Sequence, residues 1–367
     1  MKTLLQALAE HTTESALAEP IDGYRIRCLA CGLRCPIPAG FSGVCKVRFN
    51  RAGKLYVPQG YVSSLQCDPI EKKPFFHVRP GSLAMSFGML GCDLHCGYCQ
   101  NWVTSQALRD VRASIHFADI TADQLVRTAL QHGATAMVST YNEPLITAEW
   151  AAEVFAVARK AGLLTGFVSN GNATPEVLRY LRPNLDIFKI DLKSFNDRSY
   201  RQLGGRLAPI LDAIAQVHDM GFWLEIVTLL VPGFNDSGEE LSAAARFIAG
   251  VSPDIPWHIT AFHPDYKMTA PKPTPPSSLI RAASIGYDAG LRFVYAGNLP
   301  GEVGRLEDTH CPRCSVTLIR RRGHRVLEHR ITRHRACPDC GAAIPGVWGP
   351  PPKTTISPIP LVHRQCG

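Results

Sequence analysis

Seven short apolar runs between residues 82 and 295 of this 367-residue chain constrain its fold more than any other feature. Runs this short and this apolar are typical of parallel strands that are buried on both faces. Helix-like periodicity lies between them, and strand–helix–strand units build a parallel sheet, so the pattern predicts an α/β fold. The runs are Ser82–Gly88, Ala134–Thr140, Leu163–Ser169, Leu185–Leu192, Phe222–Leu230, Trp257–Phe262 and Leu291–Tyr295.

Polar side chains follow directly after five of these runs, where each predicted strand ends. Polar groups gathered at the carboxyl ends of parallel strands are typical of the active face of a barrel enzyme. The sequence therefore predicts a partial (βα)6-type barrel over residues 81–300. The side chains in question are Cys92, Cys96, Cys99, Asn142, Glu143, Ser169, Asn170, Asp191, Lys193 and His263.

Residues 1–80 form a predicted cysteine-rich extension in front of this core. Closely spaced cysteines in a reducing compartment indicate metal binding rather than disulfides. Four thiolates suit either zinc or an auxiliary iron–sulfur cluster, and zinc is the preferred prediction. The four are Cys28, Cys31, Cys35 and Cys45.

Residues 301–367 form a predicted zinc-ribbon-like segment with two C-x2-C pairs. A β-hairpin fills the space between the pairs, and the zinc would be structural, because the segment is too short to build its own core. A rubredoxin-like iron is the alternative. The predicted ligands are Cys311, Cys314, Cys337 and Cys340.

The group Cys92-x3-Cys96-x2-Cys99 is the most informative motif. Three thiolates can bind three irons of a 4Fe–4S cluster and leave one iron open. S-adenosylmethionine (SAM) can chelate that iron, and one electron then cleaves it to methionine and a 5′-deoxyadenosyl radical. The alternative is a zinc knuckle with His95 as fourth ligand. His95 lies between two of the cysteines, which makes tetrahedral ligation awkward.

This motif, with Tyr98 before its last cysteine, resembles the signature of the radical SAM superfamily. The whole chain resembles the radical SAM component of the AmmeMemoRadiSam system, a relative of the pyruvate formate-lyase activating enzymes. The matching segments are Asp68–Pro74, Phe87–Cys92, Ser139–Pro144, Ile190–Lys193, Trp257–Met268 and Ile344–Trp348.

The resemblance implies roles for several residues at the strand ends. Tyr98 would lie near the SAM adenine. The segment Thr140-Tyr141-Asn142-Glu143 stands where activating enzymes carry a Gly-Gly-Glu turn that binds the SAM amino group; this sequence lacks those glycines, and Glu143 is the expected acceptor. Ser169 and Asn170 would contact the ribose. Asn170 has a structural alternative, because it could instead cap the next helix.

Three further residues at the strand ends match the activating enzymes. Asp191 and Lys193 would bind the charged ends of SAM, and His263 would lie at the mouth of the site. Each has a structural alternative too, since Asp191 could form an ion pair with Lys193 and His263 could be a turn residue beside Pro264.

The reaction expected from the resemblance is hydrogen abstraction from a glycine of a partner protein. AMMECR-type and Memo-type proteins are the expected partners, and a flavodoxin or ferredoxin is the expected electron donor. A small metabolite is the alternative substrate. No run of about eighteen apolar residues and no signal-peptide pattern occurs, so we expect a cytoplasmic protein with no membrane partner.

The basic C-terminal segment suggests one rival function, nucleic-acid binding or modification. Residues 301–367 hold eleven Lys/Arg and five Asp/Glu, a net +6 of the formal +8 of the chain. Trp348 is the only Phe, Tyr or Trp there, which leaves little for base stacking. Arg320–Arg322 can equally end a solvated strand, so we do not expect nucleic acid as a partner.

Overall fold

The structure is a computed structural model that describes residues 8–110, 117–349 and 359–360. Eight short strands precede the core. Strands β1, β6 and β5 form one antiparallel sheet and β2, β3 and β4 form another, while β8 pairs with the first core strand. These strands are β1 (Thr12–Glu14), β2 (Ala18–Asp22), β3 (Arg25–Cys28), β4 (Pro36–Ile37), β5 (Phe49–Arg51), β6 (Lys54–Pro58), β7 (Tyr61–Val62) and β8 (Ser64–Pro69).

Seven parallel strands form the core, and all seven correspond to predicted strands. Their spatial order follows the chain from β9 to β16 without β10 (Ala118–Asp119), which pairs with β7. They are β9 (Leu83–Gly88), β11 (Ala136–Ser139), β12 (Leu164–Ser169), β13 (Ile187–Asp191), β14 (Trp223–Leu230), β15 (Trp257–Ala261) and β16 (Val294–Gly297). Strand β8, and then β20 (Ile359–Pro360), extend the sheet beside β9. Within the described part of the chain β16 and β20 do not pair with each other, so the predicted partial barrel is confirmed.

Helices separate the parallel strands and pack apolar faces on them. In Ala148–Lys160, for example, Trp150, Val154 and Phe155 are buried. The other helices are Trp102–Ser105, Ala122–Gln131, Pro175–Leu181, Asp197–Gln202, Leu207–Asp219, Gly238–Val251 and Pro276–Asp288, with 3-10 turns at Ile70–Lys72, Pro144–Thr147 and Gly304–Glu307. None of the helices in the described residues is long and apolar enough to cross a membrane.

The C-terminal segment packs on the barrel through its own apolar cluster. Its antiparallel sheet consists of β17 (Thr309–His310), β18 (Thr317–Arg322) and β19 (Arg325–His329). Leu318 and Ile319 share a buried cluster with Phe76, Phe293 and Tyr295. The division of the chain at residues 80 and 300 remains a prediction.

Arg321 corrects the interpretation of the basic run as a solvated strand end. Strand β18 alternates between its two faces, so Arg320 and Arg322 are exposed while Arg321 is buried. Arg321 donates to Thr309 Oγ1 and to the carbonyl oxygen of Phe76, both at 2.8 Å. This arginine therefore joins the C-terminal segment to the rest of the molecule.

Glu225 on β14 is fully buried and organises the end of the barrel where the N-terminal extension enters. Its carboxylate accepts from the backbone amides of Phe76 (2.9 Å) and His77 (3.0 Å) and from Trp223 Nε1 (3.0 Å). His258 Nε2 lies 2.7 Å from the second oxygen. A buried charge is stable only when it is satisfied in this way.

Glu225→Ala should lower the free energy of unfolding by about 3–5 kcal/mol, because it leaves several buried donors without an acceptor. Urea denaturation measures this change. Asp254→Ala is the control, since Asp254 forms an exposed ion pair with Arg292 at 3.0 Å, and the expected loss is below about 1 kcal/mol. Equal losses for the two variants would contradict the role of Glu225.

Candidate active site

Cys92, Cys96 and Cys99 lie on the loop that follows β9, at the carboxyl end of the parallel strands. Gly91 starts this loop with φ +94°, a conformation that favours glycine, and a Cβ there would lie 2.9 Å from the carbonyl oxygen of Cys45. Cys96 and Cys99 line a cavity of about 640 Å³. The predicted cluster residues thus lie on one loop, and two of them line this cavity.

Cys96 is buried, and Cys92 and Cys99 are partly buried. Burial raises the pKa of all three, to about 12 for Cys96. Cys99 Sγ lies 3.2 Å from Ser105 Oγ, and the backbone amide of Leu94 donates to Cys92 Sγ at 3.4 Å. Metal coordination deprotonates a thiol outright, so these cysteines are suited to a buried metal centre.

Asp93 holds the loop in place and was missed by sequence reasoning. Its buried carboxylate accepts from Asn170 Nδ2 and Asn172 Nδ2, both at 2.7 Å. These bonds join the cysteine loop to the segment after β12. The sequence signal that could have identified Asp93 is its position between Cys92 and Cys96, because a carboxylate buried there needs hydrogen-bond donors from the protein.

Glu143, Ser169 and Asn170 are brought together, as the strand-end pattern predicts. Ser169 Oγ donates to Glu143 Oε1 at 2.6 Å, and the backbone amide of Asn170 donates to Oε2 at 2.8 Å. Burial, followed by repulsion from Asp93, raises the pKa of Glu143 to about 8. None of the three residues lines the cavity.

The alternative role of Asn170 as a helix cap is wrong. The helix Pro175–Leu181 is capped by Thr174, whose hydroxyl oxygen accepts from the backbone amide of Val177 at 3.1 Å. The side chain of Asn170 is instead committed to Asp93.

Asn142 is bound to the backbone rather than exposed to the cavity. Its Oδ1 accepts from the amide of Met89 at 3.0 Å, and its Nδ2 donates to the carbonyl oxygen of Glu143 at 3.1 Å. It therefore fastens the end of β9 to the loop after β11.

Tyr141, to which the sequence analysis gave no role of its own, lies in the segment Thr140–Glu143 between β11 and the 3-10 turn Pro144–Thr147. Its φ is +73°, in the left-handed region that favours glycine. Its hydroxyl donates to Gln66 Oε1 at 3.2 Å and accepts from Lys73 Nζ at 2.9 Å. All three residues line the cavity. Tyr141 is far in sequence from both Gln66 and Lys73, so local sequence patterns do not indicate these contacts. The one sequence signal for them is the motif Asp68–Pro74, which contains Lys73.

Asp191, Lys193 and Tyr98 line the same cavity as the cysteines. Lys193 Nζ lies 3.4 Å from Asp191 Oδ2, so the predicted ion pair exists, and buried Lys189 binds the other oxygen. Burial alone would raise the pKa of Asp191, but the two lysines hold it below its usual value. The Tyr98 hydroxyl is buried and has no hydrogen-bond partner among the described residues.

His263 is exposed and lies outside the cavity lining. Its Nε2 accepts from Gln100 Nε2 at 3.0 Å, and Gln100 itself lines the cavity. His263 is therefore one residue removed from the cavity wall.

His95 is exposed, with its imidazole packed against Gly204. Among the described residues, His95 belongs to no group of three or more ligand atoms within 4.8 Å of one another. The structure thus offers no support for the zinc-knuckle alternative.

The four C-terminal cysteines form a compact set, with all ligand atoms within 4.8 Å of one another. Cys311 and Cys340 have their sulfurs 3.5 Å apart, and those of Cys314 and Cys337 lie 3.7 Å apart. This arrangement suits one tetrahedral metal ion. The N-terminal cysteines are placed beside the Cys92 loop, on its side nearest Gly91.

Comparison with known proteins assigns the family. Residues 88–248 match the Radical SAM superfamily. An uncharacterized protein of Methanocaldococcus jannaschii is 35% identical over 310 residues, which cover 84% of this chain and 91% of that protein. The chain belongs to the radical SAM superfamily and is an enzyme of that class. Membership implies a 4Fe–4S cluster and SAM.

A second relative adds a likeness to activating enzymes. The pyruvate formate-lyase-activating enzyme of Staphylococcus aureus (strain USA300) is 26% identical over 190 residues, covering 47% of this chain and 72% of that enzyme. A solved radical SAM methyltransferase from Sphaerobacter thermophilus overlaps 60% of this chain and 67% of its own, at 16% identity and a TM-score of 0.47. Agreement at that level supports no conclusion about function.

The pKa of Glu143 leads to a pH-dependent prediction. The folded protein holds this proton more tightly than the unfolded chain, so the free energy of unfolding should fall as pH rises from about 4.5 to about 8. Glu143→Gln cannot ionise, and its urea-denaturation curves should show a smaller fall. Glu176→Gln is the control, because the pKa of Glu176 lies below 4.5 and its carboxylate stays ionised over this range. Parallel pH profiles for wild type and Glu143→Gln would contradict the assignment.

Proposed function

We propose that this enzyme cleaves SAM at a 4Fe–4S cluster held by Cys92, Cys96 and Cys99. The observation that carries the proposal is a single cavity lined both by Cys96 and Cys99 and by Asp191 and Lys193. Its volume of about 640 Å³ falls in the range of small-molecule sites, roughly 300–1,000 Å³.

The three cysteines fit a cluster better than a single ion. Among the described residues their thiols are not gathered within 4.8 Å, unlike those of the C-terminal set. A four-iron cluster separates its thiolates more widely than one ion does. When bound, the cluster supplies the electron that cleaves SAM to methionine and a 5′-deoxyadenosyl radical.

The charged pair at the end of β13 provides the chemistry that the two ends of SAM require. Asp191 is an acceptor suited to an ammonium group, and Lys193 is a cation suited to a carboxylate. Tyr98, with its unpartnered hydroxyl, is the proposed neighbour of the adenine. Tyr98 is buried, while Asp191 and Lys193 are partly exposed where they line the cavity.

The network of Glu143, Ser169 and Asn170 is proposed to position the cysteine loop through Asp93. Its members bond to one another and to Asp93 rather than line the cavity. Direct contacts to the ribose and to the amino group, which the resemblance implies, stay predictions.

The first candidate substrate, which would supply the hydrogen atom, is a glycine of a partner protein. This candidate follows from the likeness to activating enzymes. The resemblance adds AMMECR-type and Memo-type proteins as partners and a flavodoxin or ferredoxin as electron donor. A cytoplasmic location likewise stays a prediction from the sequence.

A small metabolite is the second candidate substrate, and the cavity favours it. Besides the barrel, both extensions line the cavity: Lys72 and Lys73 belong to the N-terminal extension, and Glu307 and His324 belong to the C-terminal one. Charged side chains in a cavity of this size suit a small polar molecule. Nucleic acid gains no support, because Arg321 is buried and Arg330 pairs with Asp339 at 2.8 Å.

SAM cleavage by anaerobically prepared, reduced enzyme tests the function. Wild type should form methionine and 5′-deoxyadenosine, and the Cys92→Ala/Cys96→Ala/Cys99→Ala triple variant should form neither. Cys67→Ala is the matched control, since Cys67 is a buried thiol on β8 away from the site, and it should keep wild-type turnover. SAM cleavage by a correctly folded triple variant would contradict the proposal.

The same assay distinguishes the two substrate classes. Cells are grown in deuterated medium, and their extract is divided by ultrafiltration into a low-mass fraction and a protein fraction. Each fraction is added separately to the enzyme and SAM. Deuterium in 5′-deoxyadenosine with the low-mass fraction alone supports a metabolite. Deuterium with the protein fraction alone supports a protein substrate.

A further inference from the structure

None of the four N-terminal cysteines lines the cavity. Cys45 nevertheless lies against Gly91, at the start of the Cys92 loop, and the proposed function does not use this group. We propose that the four cysteines bind a second iron–sulfur cluster, with a cysteine at each of its four corners, rather than the zinc that the sequence favoured. This proposal stands apart from the proposed function and does not depend on SAM cleavage. The ligands are Cys28, Cys31, Cys35 and Cys45.

The local backbone brings the four cysteines together in a buried place. Cys28 ends β3, and its amide donates to the carbonyl oxygen of Cys35 at 3.0 Å, which closes the loop that carries Cys31. Cys35 Sγ lies 3.6 Å from the position of a Cβ on Gly43, next to the turn that carries Cys45. Cys28, Cys31 and Cys45 are each less than a tenth exposed.

The spacing of the sulfurs distinguishes a cluster from a single ion. Tetrahedral zinc with Zn–S bonds of about 2.3 Å holds its sulfurs about 3.8 Å apart. The C-terminal set shows this spacing, at 3.5 and 3.7 Å. Among the described residues neither the N-terminal set nor the Cys92 set is gathered within 4.8 Å. The N-terminal thiols therefore resemble the predicted cluster ligands of the same chain, and not its single-ion site.

The proposed site lies against the SAM-cluster loop. A Cβ on Gly91 would lie 2.9 Å from the carbonyl oxygen of Cys45. The amide of Gly32 donates to the carbonyl oxygen of Asn172 at 2.9 Å, and Asn172 Nδ2 donates to Asp93 at 2.7 Å. The two clusters would be close enough to interact magnetically.

The test is the iron, labile sulfide and zinc content of the full chain after anaerobic reconstitution. The Cys92→Ala/Cys96→Ala/Cys99→Ala variant is decisive, because it leaves the N-terminal cysteines intact. Wild type should hold about eight irons and the variant about four, with equal sulfide and one zinc in each. Labile sulfide is present in an iron–sulfur cluster and absent from a single iron bound by the C-terminal cysteines, so its content distinguishes the two. Cys67→Ala, the control, should match wild type.

A second readout is the electron paramagnetic resonance spectrum of the reduced proteins. Two neighbouring reduced clusters should broaden the signal of wild type, and the triple variant should show the narrower signal of one cluster. A triple variant with no sulfide-bound iron overturns the proposal, whether it holds a second zinc or no second metal. Failure of SAM cleavage in a wild type with eight irons would contradict the proposed function alone.

Discussion

Buried carboxylates are the constraint on which the rest of this structure depends. A charge without water must find donors inside the protein, and here the donors come from different segments. Glu225 takes its hydrogen bonds from the N-terminal extension and from two core strands. Asp93 joins the cysteine loop to the segment after β12. The barrel end and the cysteine loop are thus fixed by the same requirement for satisfied charge.

The position of the extensions follows from these contacts and shapes what the enzyme can do. Glu225 fixes Phe76 and His77, while Arg321 ties the C-terminal sheet to the same stretch of backbone. Residues from both extensions consequently line the cavity in which Cys96 and Cys99 lie. A radical formed there would meet a substrate in a cavity lined by charged side chains from both extensions. The extensions are therefore part of the reaction chamber in the proposed function.

The core could be predicted from the sequence because buried parallel strands require uninterrupted apolar runs, and because cluster ligation restricts cysteine spacing. Which partner each polar side chain takes could not be predicted. Asn142 binds the backbone of Met89, although an amide beside Glu143 suits a ligand equally well. Lys73 and Tyr141 are in contact although they are far apart in the chain, and the hydrophobic periodicity of the sequence cannot predict such a contact. The burial of Arg321 was not predicted, because three consecutive arginines give no sign that β18 alternates between a buried and an exposed face.

The central claim is that three cysteines leave one iron open for SAM. Electron–nuclear double resonance on the reduced enzyme tests it most directly, with SAM labelled by nitrogen-15 in its amino group and oxygen-17 in its carboxylate. The account predicts hyperfine coupling of both labels to the cluster of the wild-type protein. A cluster-loaded enzyme that binds SAM with no coupling to either label would contradict it.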